Sequence, residues 1–188
     1  AAAAAAGFAD LHCSRRFSFA ADGALAAATA AADGAPDTRA EVVSVSLREE
    51  FGLSVGAHVW DSGVVLSSYL VRLHAAGAGF FKPPGCEPGS SVTVVELGSG
   101  CGLAGLCAAS LLGRQSRRPG QEGDTPVAVQ APAATAAAAV LTDRAGVLRL
   151  LRQNISLNDS GGATVWAAEL SWGLQEPARQ LAAAARAA

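Results

Sequence analysis

Polar and apolar positions alternate across residues 41–47, where Val43, Val45 and Leu47 are separated by single residues. That period of two predicts a strand buried on one face. Upstream, Arg16-Phe17-Ser18-Phe19 alternates over a shorter run and is expected to pair with it as an antiparallel hairpin. Residues 1–14 read as unstructured. Residues 20–38 are Ala, Gly, Asp and Pro with no apolar period and read as a loop insertion. Residues 51–58 form a glycine-punctuated connection. Behind Asp61 or Ser62 as a cap, Val64, Val65, Leu66, Tyr69, Leu70 and Leu73 recur at helical spacing, predicting a helix to about His74 with these six on its core face.

The period then changes twice more. Residues 92–97 are a β-branched apolar run, the composition of a strand buried on both faces. Glycines at 98, 100 and 102 break it, and residues 103–112 resume as good helix formers closed by Gly113. A second short strand, residues 139–143, ends in Asp143. Val147, Leu150, Leu151, Asn154 and Ile155 then make a helical stripe with Arg149 and Arg152 outside it. Asn158 to Gly162 is a turn, residues 163–168 are a third strand, and Leu170-Ser171-Trp172-Gly173 follow. Helix followed by β-α-β-α-β predicts a doubly wound, Rossmann-like α/β fold. Its pieces divide into an Ala-rich amino-terminal segment, 1–40, and a main domain, 41–188, containing a Gly/Pro linker at 75–91 and a low-complexity insertion at 114–138.

Composition narrows the function classes. The 188 residues carry a net charge of −2, which gives nucleic acid or an anionic membrane surface nothing to grip. No uninterrupted apolar run reaches membrane-spanning length. Cys13, Cys86, Cys101 and Cys107 form no CxxC pair and no histidine stands at metal-ligand spacing, so neither a metal site nor a disulfide framework is expected. A reducing, intracellular setting fits. Arg15, Arg16, Ser14 and Ser18 among alanines give the amino end some organelle-transit character, opposed by Asp10 and Asp22. The chain does not begin with Met and closes in an alanine-rich tract, both consistent with a piece of a longer polypeptide.

The glycine loop at the carboxyl edge of the first core strand is where ligands sit in this architecture. It satisfies two patterns. Gly100-x-Gly102-x-x-Gly105 is a dinucleotide fingerprint, weak by itself. Glu96-x-Gly98-x-Gly100-x-Gly102 places a carboxylate just before the glycines, where it would repel a pyrophosphate and favour a ligand with a cationic end. S-adenosylmethionine (SAM), with its ammonium and sulfonium, is such a ligand and is favoured over NAD. Glu96 then partners the ammonium, or else is satisfied by loop amides. Gly98, Ser99 and Gly100 line the ligand with main chain, and Asp143 either holds the ribose hydroxyls or caps the next helix. Trp60 and Trp172 fall at element ends on the ligand edge and can face a sulfonium or stack on adenine, whereas Trp166 reads as packing. His12, His58 and His74 show no nucleophile–base pattern. Glu49-Glu50 reads as a solvated turn, or as an acidic rim steering a lysine. No residue is assigned catalysis.

The motifs Gly56-x-x-Val59-Trp60-Asp61-Ser62, Glu96-Leu97-Gly98-Ser99-Gly100-Cys101-Gly102-Leu103, Leu141-Thr142-Asp143-Arg144 with Asn154-Ile155-x-x-Asn158, and Leu170-x-Trp172-Gly173 occur in that order. Together they resemble methyltransferase family 16, the methyltransferase-like protein 21 group of seven-strand, class I SAM-dependent protein-lysine methyltransferases. The resemblance runs from about residue 16 to 173. It implies that Trp60 lies beside the methionine end of SAM, that Gly98, Ser99, Gly100 and Gly102 form the cofactor loop, that Asp143 holds the ribose, and that Trp172 packs near the adenine. It also implies a lysine on a non-histone protein, such as a chaperone or translation factor, as acceptor, and a mostly cytoplasmic location; the chain is expected to be a monomer. The family continues with a strand ending in an Asp-x-x-Tyr-like motif, where this chain has its alanine tract. The expectation is therefore a domain truncated after its third core strand, and a chain that is poorly active and aggregation-prone alone. Two other readings stand beside this one: a class I methyltransferase with another acceptor, and an inactive SAM-binding or interaction module.

Overall fold

A computed structural model describes residues 12–21, 25–28, 42–52, 54–77, 91–116 and 137–187. Two three-stranded sheets organise them. The first is antiparallel, in the order β2 (Leu25–Ala28), β1 (His12–Ala20), β3 (Val42–Glu50). The pairing of Phe17 with Val45 and Phe19 with Val43 is the one the alternation predicts. The ladder is longer than the sequence suggests, reaching from His12 opposite Glu50 to Ala20 opposite Val42. Within the stretch read as unstructured filler, Leu25–Ala28 also pairs with β1. The strand beside it supplies the hydrogen-bonding partner that its own alanines do not signal.

The second sheet is parallel, in the order β4 (Val92–Leu97), β5 (Ala137–Asp143), β6 (Thr164–Glu169), with α2 (Leu103–Ser116) and α3 (Ala145–Ser156) as the crossovers. This is the α/β architecture expected, shown over three parallel strands. β5 is buried along almost its whole length. β4 is not the doubly buried strand its composition implies, since Val95 and Leu97 are exposed. α2 does not stop at Gly113 but runs to Ser116. Gly113 is needed there because a Cβ would collide with the main chain of Ser160 and Gly161, which cross the helix closely. Beyond β6, the Gln-, Arg- and Ala-rich tail forms α4 (Gln175–Ala187), as residues of high helix propensity should.

The helix preceding β4, α1 (Asp61–Ala75), is placed as expected but turned differently. Its buried residues are Ser67, Leu70, Val71 and His74, while Val65, Leu66 and Tyr69 are exposed. Ser67 is tolerated inside because its hydroxyl donates to the Gly63 carbonyl at 2.8 Å. Neither Asp61 nor Ser62 caps the helix. Trp60 occupies the cap position without a capping hydrogen bond from its side chain, and Asp61 is the first helical residue, where its charge suits the dipole.

One hydrophobic cluster unites the two sheets, from Phe17, Phe19, Val43 and Leu47 to Leu103, Cys107, Leu141 and Leu150. The outer edge of β3 meets α3 and the turn just after it through two asparagines, Asn154 in the helix and Asn158 past its end. Asn154 accepts from Arg48 N–H at 2.7 Å and donates to Arg48 C=O at 3.0 Å, and Asn158 does the same with Ser46 at 2.8 Å in each direction. The amides stand in for a neighbouring strand. Of the sequence features, most of the linker 75–91 and of the insertion 114–138, and Cys86, lie outside the described residues.

Candidate functional site

The loop between β4 and α2 is stitched to β5 before any ligand is considered. Ser99 N–H donates to the Thr142 carbonyl at 2.8 Å, Thr142 N–H donates to Ser99 Oγ at 2.9 Å, and the Thr142 hydroxyl donates to the Glu96 carbonyl at 2.7 Å. Ser99 is thereby buried, its polar groups turned to the protein. Gly100 is in the left-handed region (φ 54°), and a Cβ there would stand 2.8 Å from the Gly56 carbonyl oxygen. Two glycine-bearing segments thus pass each other at main-chain contact. Gly102 sits deeper, where a Cβ would come within 2.7 Å of Leu151 Cδ1. Its glycine serves packing of the loop on the core.

Beside this loop is a cleft of about 590 Å³ lined by Gly56, Trp60, Glu96, Gly98, Gly100 and Leu103, among others. Of the residues named from the sequence, Trp60, Glu96, Gly98, Ser99 and Gly100 meet here. Trp60 is 58% exposed, and its indole N–H donates to the Val55 carbonyl at 3.0 Å. Asp143 and Trp172 flank the loop rather than line the cleft. One Asp143 oxygen accepts Gly100 N–H at 2.8 Å and the other accepts Arg144 N–H at 2.7 Å, so it braces the glycine loop and holds the residue at the cap position of α3 without capping the helix itself. Trp172 is 75% exposed, and its ring edge would touch a Cβ on Gly98 at 3.3 Å.

Glu96 has an unusual environment. One oxygen accepts Gly105 N–H at 3.1 Å, near the start of α2, and a Cβ at Gly105 would collide with that same oxygen. Among the described residues Glu96 makes no ion pair. Burial pushes its pKa up from 4.5 to about 7; hydrogen bonds from Ser99 and Gly105 pull the other way, and the Asp143 charge adds to the rise. A half-buried carboxylate without a cation lies at the wall of the cleft.

Sequence reasoning missed Glu49. It is neither a solvated turn nor an acidic rim, being 2% exposed and hydrogen-bonded to Val59 N–H at 2.8 Å and to Arg15 at 3.1 Å. The signal was present: 43, 45, 47 and 49 share one parity, and the strand simply continues. Glu50 instead pairs with Arg149 on the outside. Cys13, Cys101 and Cys107 are free thiols, and burial pushes Cys101 and Cys107 up to about 12, which keeps them protonated and unreactive. Among the described residues no group of acidic, His or Cys side chains can hold a metal, and no helix is long and apolar enough to cross a membrane.

The cleft has the parts that a compact ligand with a cationic end requires: a carboxylate with no cation among the described residues, bare main chain at the glycines, and an exposed indole. No curated protein matches the chain. A family model described as lysine methyltransferase matches residues 40–184, spanning every element from β3 through β6 and most of α4, and the chain belongs to that lysine methyltransferase family.

Proposed function

We propose that the chain binds SAM in this cleft and methylates a lysine side chain of a non-histone protein, such as a chaperone or translation factor, in the cytoplasm. The observation that carries the reading is Glu96, a carboxylate held at the cleft wall with one amide donor and, among the described residues, no cation. An ammonium arriving there gains a partner whose own desolvation has already been met by the fold. Gly98 and Gly100 let the ligand lie against main chain, and the Trp60 indole offers a π face to a sulfonium. Asp143 keeps lone pairs on both oxygens after bracing Gly100 and Arg144, enough to accept two ribose hydroxyls.

SAM supplies an electrophilic methyl group on its sulfonium. The chain's residues hold that methyl in line with an incoming amine and exclude water around it. Leu66, Val95, Leu97 and Leu103 give the cleft an apolar side. Such a wall favours the neutral, nucleophilic form of a lysine amine over its ammonium.

Calorimetric titration with SAM, S-adenosylhomocysteine and NAD tests the reading. Both adenosyl ligands should bind the chain and NAD should not, and the double variant Trp60→Ala/Asp143→Ala should lose at least about tenfold in affinity. A folded chain that takes NAD but neither adenosyl ligand overturns the assignment. Incubation with labelled SAM and a cell extract then reads the acceptor, where label on amino acids other than lysine would exclude lysine methylation.

A further inference from the structure

Glu49 is a charged side chain on the inward face of a strand whose other inward residues are Val43, Val45 and Leu47. A leucine there would continue the core. A buried carboxylate instead needs its lone pairs filled, and such pairs add little net stability over an apolar residue of similar volume. The question is what the carboxylate is aimed at. Oε2 takes the Arg15 guanidinium at 3.1 Å and the Cys13 thiol at 3.5 Å, both from the neighbouring strand β1. Arg15 in turn lies over the Phe17 ring, 4.6 Å from its centroid. Oε1 leaves the sheet altogether and accepts Val59 N–H at 2.8 Å.

Val59 immediately precedes Trp60 in the segment that makes one wall of the cleft. That segment has little regular structure of its own: a single 3-10 turn at Val55–Ala57, then His58 and Trp60 in extended conformation. The indole of Trp60 is tethered to Val55, within the same segment, so it cannot anchor the segment to the rest of the protein. Gly56 packs against Gly100, and Ala57 and Val59 against the core, but these contacts are non-directional; the other hydrogen bond from the segment to the body among the described residues, from the Cys101 thiol to the Gly56 carbonyl at 3.8 Å, is long and weak. The bond from Glu49 to Val59 is a short, charge-assisted one made from a rigid strand.

We infer that Glu49 is a positioning residue for the ligand cleft: clamped by Arg15 and Cys13 on the sheet, it fixes Val59 and with it the Trp60 wall. The ligand itself never touches Glu49. In this arrangement the amino-terminal sheet sets the width of the cleft, and Arg15 neutralises the carboxylate that does so. The identity of the ligand rests on the SAM reading above; the positioning of Trp60 does not.

The test uses the full chain labelled with fluorotryptophan, whose three tryptophans give three fluorine resonances, that of Trp60 assigned through Trp60→Phe. Glu49→Leu fills the volume and removes the acceptor, whereas Glu49→Gln keeps a carbonyl for Val59. In the ligand-free protein, Glu49→Leu should shift and broaden the Trp60 resonance and leave those of Trp166 and Trp172 in place, and Glu49→Gln should leave all three close to wild type. The Val59 amide should exchange at least about tenfold faster in Glu49→Leu. S-adenosylhomocysteine should bind Glu49→Leu about tenfold more weakly and Glu49→Gln within about twofold of wild type. A merely structural Glu49 would lower the melting temperature without moving the Trp60 signal, and a folded Glu49→Leu with a wild-type Trp60 resonance and Val59 exchange rate overturns the inference. Should Glu49→Leu fail to fold, Glu49→Asp, one methylene too short to span to Val59, carries the same comparison. Failure of the wild-type chain to bind S-adenosylhomocysteine would count against the SAM reading alone, because the fluorine and exchange signals are read without ligand.

Discussion

At the scale of single residues, Glu96 ties the stability of the fold to its ligand. Its folded pKa, about 7, lies above the usual 4.5, so between those values the folded chain holds a proton that the unfolded chain has released. Stability therefore falls as pH rises from about 4.5 to about 7 and is level above that, with a total cost on the order of 3 kcal/mol. Glu96→Gln keeps an acceptor for Gly105 and carries no charge at any pH. Denaturant unfolding should show this variant close to wild type near pH 4.5 and more stable by up to about 3 kcal/mol near pH 8. The same variant should bind SAM at least about tenfold more weakly, because the ammonium loses its partner. Equal affinity in both would remove Glu96 from the site. In the sequence, Glu96, the glycines at 98 and 100 and Asp143 were legible because spacing along a strand–loop–helix unit fixes where they stand. Gly102 had the same spacing, but its role is packing. Glu49 was hidden because two adjacent acids suggest solvent, although strand parity points the first of them inward. Its partner Arg15 lies 34 residues away, a separation that no local pattern reveals.

At the scale of elements, the asparagine clamp makes α3 part of the first sheet. Asn154 is fully buried and divides its amide between Arg48 and the Cys101 carbonyl in the glycine loop, at 2.9 Å for the latter. Asn154→Ala strands the part-buried N–H and C=O of Arg48 and the buried carbonyl of Cys101 together, and should cost about 3 kcal/mol, read as a lower denaturant midpoint. Asn158, half-buried and nearer the surface, should cost about 1 kcal/mol on the same substitution. Equal and small losses would mean that water replaces both amides. The order of strands and helices was legible throughout, since each change of hydrophobic period is also a change of element. Orientation was not. α1 carries apolar residues on more than one side, so its period predicts a helix without choosing the face, and Ser67 and His74 rather than Val65 and Tyr69 went inward. β4 has the composition of a doubly buried strand and yet exposes Val95 and Leu97, because burial depends on what covers a strand and not on the strand alone.

At the scale of the whole molecule, the family match and the packing disagree about where the unit begins. The match starts at residue 40, just before β3, and so leaves out β1 and β2. In the fold, β1 pairs with β3 along nine positions, from His12–Glu50 to Ala20–Val42, and places Phe17 and Phe19 in the one cluster that also holds Leu103, Leu141 and Leu150. A chain beginning at residue 40 would uncover Val43, Val45 and Leu47. It would also leave Glu49 without the Arg15 cation, a partner whose guanidinium is half exposed and whose loss costs about 1 kcal/mol. Loss of the Phe19 side chain alone should cost about 3–5 kcal/mol, on the scale of the entire stability of an ordinary domain. Compared with a chain beginning at residue 12, one beginning at residue 40 should therefore lose its cooperative thermal transition and its near-ultraviolet dichroism and gain dye-binding apolar surface. Phe19→Ala in the full chain should move the same way by a smaller step. Matching denaturation midpoints for the two chains would instead make the amino-terminal strands an appendage, and Glu49 would then have to be held by something other than the sheet it stands on.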